Sequence, residues 1–159
     1  MKKIALNQGQ FAIIDDEYFE ELNQFKWRVT KERNSFYAIR TYSINGKKYT
    51  IKMHRYILKL TDPKIHVDHI NHNGLDNRLE NLRACNRHEY KRNRSKLKNN
   101  TSGFKGVYWN KRRKKYTAYI YDTGNLKYLG SYLCPIEAAK AYNKAAIKYY
   151  GEFAQLNEL

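Results

Sequence analysis

The chain has 159 residues, with 31 Lys and Arg against 15 Asp and Glu, a formal charge of +16, and 42% hydrophobic and 14% aromatic residues. That length suits one domain or two small ones, the 15 tyrosines exclude a disordered basic tail, and the charge makes a polyanion the expected partner. No apolar run approaches the roughly 18 residues of a membrane span, the opening MKKIALNQGQ lacks a signal-peptide core, and Cys85 and Cys134 lie far apart outside any CxxC, which fits a reducing cytoplasm.

Residues 1–57 read as mostly β. An acidic helix is expected from Asp16 to Phe25, ahead of the apolar Trp27. Strands at 36–43 and 48–53 flank Asn45-Gly46, a pair suited to the type I′ turn of a hairpin because both central residues need positive φ. Asp62-Pro63 breaks the chain before the next unit. There, IHVDHI reads as a short strand, NHNGLDN as a polar loop and NLRAC as a second strand with Cys85 in the core. Asn86, with Glu89 three residues on, marks a helix start.

All five histidines fall between His54 and His88. Histidine titrates near neutrality and binds metals, so the cluster points to chemistry. His54, in MHRY, reads as structural, whereas His66 and His72 in the polar loop suit either an approach to a partner or simple exposure. Between Glu89 and Asp122 there is no acidic residue, while Lys91, Arg92, Arg94, Lys96, Lys98, Lys105, Lys111, Arg112, Arg113, Lys114 and Lys115 lie inside it. Such charges repel one another unless an anion such as nucleic-acid phosphate neutralises them. A basic half beside a histidine-rich half outlines a nuclease.

The stretch 91–103, KRNRSKLKNNTSG, reads as a basic linker. Strands are then expected at 105–109, 115–121 and 127–132, and a helix from Pro135 to Tyr150 with Gly151 as its stop. Ala138, Tyr142, Ala145 and Tyr149 recur at helical spacing and form its core face. Along the middle strand Tyr116, Ala118 and Ile120 alternate with Thr117, Tyr119 and Tyr121, so one set faces the helix and the other faces out. The outward tyrosines beside KRRKK are the expected nucleic-acid face.

The string HVDHINHNGLDNRLENLRACNRHEYKRN, with Asp68-His69, Asn81 twelve residues on and NLR, resembles the HNH endonuclease family in its phage and intron-homing branch. The segment from SGFKGVYW to FAQLN resembles an AP2-type DNA-binding domain, and LNQGQFAIIDDEYFEELNQFKW looks like the opening of the same group. Together these cover nearly the whole chain. The resemblance implies an α+β protein. It would have a small N-terminal β unit (1–57), a ββα-metal HNH core (58–94), a basic linker (95–103) and an AP2-type three-stranded antiparallel sheet packed on one helix (104–159).

The implied activity is metal-dependent cutting of duplex DNA, as a nick leaving 3′-hydroxyl and 5′-phosphate ends. The chain would act as a monomer, with one divalent cation, Mg²⁺ or alternatively Mn²⁺, and no small-molecule cofactor. By resemblance His69 is the general base, Asp68 a metal ligand and Asn81 the residue that braces the loop and orients the histidine. An imidazole titrating near neutrality suits the first role and a carboxylate the second. The family's remaining metal position, 21 residues after His69, is here Tyr90, whose neutral phenol is a poor Mg²⁺ ligand. Adjacent strand residues point to opposite faces, so Asp68 and His69 can share a phosphate only where the strand ends or bulges.

Carried over from the AP2 sheet, the DNA-facing positions are Lys105, Tyr108, Tyr119, Tyr121 and Tyr128, with tyrosines where the plant family has arginines. Arg112 and Arg113 in the turn are expected on phosphates, and Arg92, Arg94, Lys115 and Lys127 are further DNA-binding candidates. Two other readings stand beside this one. The first is a site-specific DNA-binding protein that kept the fold and lost the metal. The second is an RNA binder whose tyrosines stack on unpaired bases.

Overall fold

The computed structural model describes residues 1–32, 35–97 and 99–159, and these divide into two compact units, Met1–Arg87 and His88–Leu159. Lys98 of the basic run lies outside the described residues. No helix among them is long and apolar enough to cross a membrane.

The first unit opens with a hairpin of β1 (Lys2–Ala5) and β2 (Phe11–Ile14). A 3-10 turn over Asp16–Tyr18 leads into α1 (Phe19–Asn23). The acidic helix is therefore shorter than the 16–25 expected. The carbonyl of Leu22, which would carry the helix onward, accepts the Phe25 N–H (3.2 Å) and the indole N–H of Trp27 (2.9 Å) instead. That folds Trp27 back into the core. β3 (Arg28–Glu32), β4 (Ser35–Ile44) and β5 (Lys47–Lys52) form an antiparallel sheet with β4 in the middle. Asn45 and Gly46 turn between the last two with φ of 49° and 77°, as the sequence predicts.

A short helix, α2 (Met53–Ile57), follows β5 directly. It is little longer than one turn, too brief for a periodic pattern to announce it. β6 (His66–His69) then pairs antiparallel with β7 (Leu82–Cys85). The boundary expected at 57/58 is absent from the packing. Ile4, Ile14, Leu22 and Trp27 share one hydrophobic cluster with Met53, Val67 and Leu82. Pieces of this size bury too little alone, and Met53 and Ile57 of α2 are the residues that fuse them.

α3 (Arg87–Arg92) begins at the border of the second unit. β8 (Val107–Asn110), β9 (Lys115–Asp122) and β10 (Asn125–Tyr132) form an antiparallel sheet with β9 central. α4 (Pro135–Tyr150) packs on one face of it, with Ala138, Ala139, Tyr142 and Ala146 against Val107, Ala118 and Ile120. Tyr150 closes this core, and Tyr149, expected there, is half-buried.

Small residues set the helix-to-sheet distance. A Cβ on Gly106 (φ 74°) would lie 2.1 Å from the Tyr142 ring and 2.7 Å from the Tyr119 carbonyl. The expected linker ends earlier than 103, because Asn100 and Ser102 already belong to this unit. Asn100 Nδ2 donates to the Phe104 carbonyl (2.8 Å) and Ser102 Oγ to that of Val107 (2.7 Å).

Candidate functional site

The chemistry of the first unit gathers where β6 stops. His69 is the last residue of that strand, and the chain turns at once, with the His72 N–H donating to the His69 carbonyl at 3.0 Å. The strand ends one residue too late to meet the condition on a shared phosphate, since Asp68 and His69 both lie inside β6 in unbroken register. Within β6 the alternation of a regular strand still separates the two residues. Asp68 lies opposite Arg83 of β7, and His69 opposite Leu82.

His69 sits among rings from two other elements. His54 of α2 meets it edge to face, with centroids 5.0 Å apart, and Tyr37 of β4 lies 5.8 Å from His69 and 5.6 Å from His54. Both imidazoles are buried. Burial pushes the His69 pKa below its ordinary 6.5, against opposing pulls from a hydrogen bond with Asn77 and the charges of Asp68 and Asp76. His54 is pushed well below 6.5, by burial first and then by the neighbouring charges of His69, Lys52 and Arg55. Both rings are therefore neutral at pH 7, the form in which an imidazole can accept a proton.

The loop between β6 and β7 is held from inside. Asn81 accepts the Asn71 N–H on its Oδ1 (2.9 Å) and donates from Nδ2 to the Asp76 carbonyl (2.8 Å). That is the bracing role the family pattern implies for it, while the contact to the His69 ring comes from Asn77. The buried Asp76 carboxylate accepts Nε (2.9 Å) and Nη2 (2.8 Å) of Arg78 and Nδ2 of Asn71 (2.8 Å), and Arg78 holds its pKa below the usual range. β2 pins the same loop from outside: the Ile13 N–H donates to the Leu75 carbonyl (2.8 Å) and the Asn77 N–H to the Ile13 carbonyl (2.7 Å). At Gly74 a Cβ would come within 2.4 Å of the Phe36 carbonyl and 2.6 Å of the Tyr37 ring, so only glycine lets β4 close over the loop.

Asp68 is engaged by Arg83. Nε at 2.9 Å and Nη2 at 2.7 Å both donate to Asp68 Oδ2, and the carboxylate and guanidinium side chains are 6% and 12% exposed. Among the described residues no three His, Cys, Asp or Glu side chains gather as a metal cage. Tyr90 lies on α3 in the second unit, with the guanidinium of Arg94 5.8 Å over its ring.

Beside the loop, β2 and the start of β4 enclose a cleft of about 470 Å³ lined by Phe11, Phe36, Asn73 and Leu75 among others. Lys3 stands over the Phe11 ring at 5.9 Å and Lys31 over the Phe36 ring at 5.7 Å.

In the second unit the structure separates the expected DNA-facing residues into two groups. Tyr119 pairs with Tyr128 across β9 and β10, and its ring lies 5.7 Å from Tyr128 and 6.3 Å from Tyr108, so three tyrosines step across all three strands. Tyr121 and Lys115 share that face of β9, and Arg112 and Arg113 are exposed in the adjoining turn. Thr117 is on the same face yet buried, beside Tyr108 and Ser131 in the register.

The remaining cations are placed elsewhere. Lys127 pairs with Ile120 in the register and so lies on the helix side, bonded to Asp122 (2.7 Å) and 4.3 Å over the Tyr149 ring. Lys105 turns its amine onto the Arg92 carbonyl, and burial pulls its pKa down to about 8. Arg92 lies over the Tyr150 ring at 5.1 Å.

Sequence reasoning missed Tyr37, Asn77 and Arg83, and treated His54 as scaffold. Arg83 was within reach, since pairing His69 with Leu82 puts it opposite Asp68. Tyr37 leaves no local signal, because only the packing of β4 brings it to the site.

Residues 54–92, which include both histidines of the ring cluster, Asp68, Asn77, Asn81 and Arg83, match the family described as HNH endonuclease. Over 161 aligned residues the chain is 29% identical to an uncharacterized HNH endonuclease of Acanthamoeba polyphaga mimivirus, covering 98% of this chain and 79% of that protein. No solved structure matches. The segment from His54 to Arg92 is thus similar to an HNH endonuclease family domain.

Proposed function

We propose that the protein is a metal-dependent DNA endonuclease that nicks duplex DNA, with the first unit cutting and the tyrosine face of the second selecting or holding the site. The observation that carries this reading is His69, buried and neutral at the end of β6 beside Asp68, inside the matched segment. His69 takes the proton from the attacking water on a ring nitrogen. The water oxygen bonds to phosphorus, the bond to the 3′ oxygen breaks, and that oxygen takes a proton from solvent and leaves as a 3′-hydroxyl, while the His69 imidazolium returns its proton to solvent. Tyr37 and His54 fix the plane of the imidazole, and Asn81 and Asp76 fix the loop that follows it.

The donor set suits a hard cation. Mg²⁺ takes one or two carboxylates and completes its shell with water and substrate phosphate, so Asp68 can hold it without a cage of three side chains. When bound, it supplies positive charge at the phosphoryl and leaving oxygens. The AP2-type role of the second unit is supported by its three-stranded sheet on one helix and by the clustering of Tyr108, Tyr119 and Tyr128. Tyrosine hydroxyls and rings take the place of arginine forks there, so no target sequence carries over from the plant domains. We place its action in the cytoplasm of a bacterial host cell, as a protein encoded by a phage or mobile element.

A second reading, a DNA-binding protein that has given up cleavage, is favoured by Tyr90 and the arginine over its ring. Nicking of supercoiled plasmid in Mg²⁺, Mn²⁺ and EDTA separates the two. The nuclease produces open circles with the metals, none in EDTA, and none from His69→Ala. Intact plasmid on DNA that the protein demonstrably binds sinks the nuclease and leaves the second reading.

A further inference from the structure

Arg83 faces Asp68 across the β6–β7 ladder and puts two N–H groups on one oxygen, Oδ2, at 2.9 and 2.7 Å. Both side chains are largely out of water, Asp68 more completely than Arg83. A buried charge that loses its partner is strongly destabilising, so neither group is released unless another takes its place. In the free protein the pair is electrically balanced. A divalent cation approaching Asp68 then meets a site whose negative charge has already been answered by a guanidinium.

DNA supplies a replacement partner. A phosphodiester offers a guanidinium the same pair of anionic oxygens as a carboxylate, and arginine binds both in the same forked manner. The protein reaches DNA with a large positive charge, so phosphates arrive at high local concentration around its basic face.

Resting on the reading of Asp68 as a metal ligand, we propose that Arg83 couples cation binding to DNA binding. In the free protein its guanidinium holds Asp68. On DNA it transfers to a backbone phosphate, and Asp68 Oδ2 becomes available to the cation. The arrangement leaves the protein without a loaded cation until a strand is in place. By linkage, the cation and DNA then strengthen each other by the same factor.

The test is paramagnetic broadening by Mn²⁺ in ¹⁵N-labelled full-length protein, with and without a short duplex. The amide signals of residues 67–69 and 82–84 are expected to broaden in the DNA complex at Mn²⁺ concentrations about tenfold or more below those needed for the free protein, within the usual range of coupling between two sites. Substrate phosphate in the cation's shell also links the two ligands, so the Arg83 Nε–H signal is followed in the same spectra: it should shift when duplex is added without Mn²⁺, a readout that needs no folded variant, and a signal that stays put overturns the transfer. In a folded Arg83→Gln variant the free protein should broaden as readily as the complex.

Equal Mn²⁺ dependence with and without DNA overturns the coupling and leaves the cation site standing. No broadening around Asp68 in either state overturns the coupling together with the metal role of Asp68. A folded Arg83→Gln protein that resists Mn²⁺ as the free wild type does also overturns it.

Discussion

The imidazole of His54 meets that of His69 edge to face, 5.0 Å between centroids, inside the core of the first unit. Two titratable rings in contact and out of water resist protonation, and burial depresses the pKa of each below 6.5. In the unfolded chain they take up protons at the ordinary value. As pH falls through 6.5 the unfolded state therefore binds more protons than the folded one, and stability declines until the folded pKa values are reached. Asp76 acts lower: its depressed pKa contributes stability above 3.8 that is lost as pH falls below that value. Thermal unfolding should show the midpoint dropping from pH 6.5 toward pH 4.5, and His54→Gln should flatten the slope. An unchanged slope in the variant would remove His54 as its source.

With His69 in its proposed role, the same burial sets the acid limit of cleavage. His69 accepts a proton only while neutral, so the acid limb of kcat/KM should lie below pH 6.5, in the direction of its depressed pKa. Asn77, fully buried, is among the groups that set the pKa of the ring. Asn77→Asp places a carboxylate there, favours the imidazolium and should move the limb to higher pH. Plasmid nicking across pH 5 to 8 measures it, and a limb that stays put or moves down would exclude Asn77 as a neighbour that tunes the base.

How much of this was legible in the sequence depends on how far each element's cause reaches. The β4–β5 hairpin is announced by Asn45-Gly46, and α4 by Pro135 and Gly151, because those signals are local backbone preferences. Asp68, His69 and Asn81 were legible through a motif. The shared core was not: a boundary at Asp62-Pro63 looks natural until Met53 and Ile57 are seen packed with Ile4 and Leu82. Likewise His54 looked structural because nothing in MHRY says that α2 aims it at His69. Lys105 is carried over from the AP2 sheet and Lys127 is counted as a DNA-binding cation, yet register and burial send one inward and the other to the helix side. Composition shows that cations are present, and only packing shows which of them face a partner.

Gly74 tests the closure of β4 over the loop between β6 and β7. Its φ is ordinary, so alanine is objectionable purely for space, with the Phe36 carbonyl at 2.4 Å and the Tyr37 ring at 2.6 Å from the new carbon. Backbone cannot yield as a flexible side chain does, so Gly74→Ala should destabilise the first unit by about 1–3 kcal/mol, the usual range for overpacking. Because Tyr37 also packs on His69, nicking should fall further than the lost stability explains. Urea unfolding beside nicking rates under native conditions separates the two losses. Full activity in a folded variant would mean that the loop has slack the packing does not reveal.

The tyrosine face and the basic turn should leave different signatures in DNA binding. Arg112 and Arg113 are exposed and contact phosphate if the reading holds. Each alanine there should lower the slope of log Kobs against log salt by about 0.9 per lost contact, through fewer released counterions. Tyr119 is the middle rung between Tyr108 and Tyr128 and carries no charge to release ions. Tyr119→Ala should weaken binding by about 1–3 kcal/mol if bases stack on the ladder, with the salt slope unchanged. Lys127→Ala, on the helix side and paired with Asp122, should change neither quantity. Running the series on duplex DNA and on single-stranded RNA at fixed salt decides the partner as well. A ladder variant that loses RNA affinity and keeps DNA affinity would move the second unit to unpaired strands, whereas loss on duplex alone places DNA on the tyrosine face.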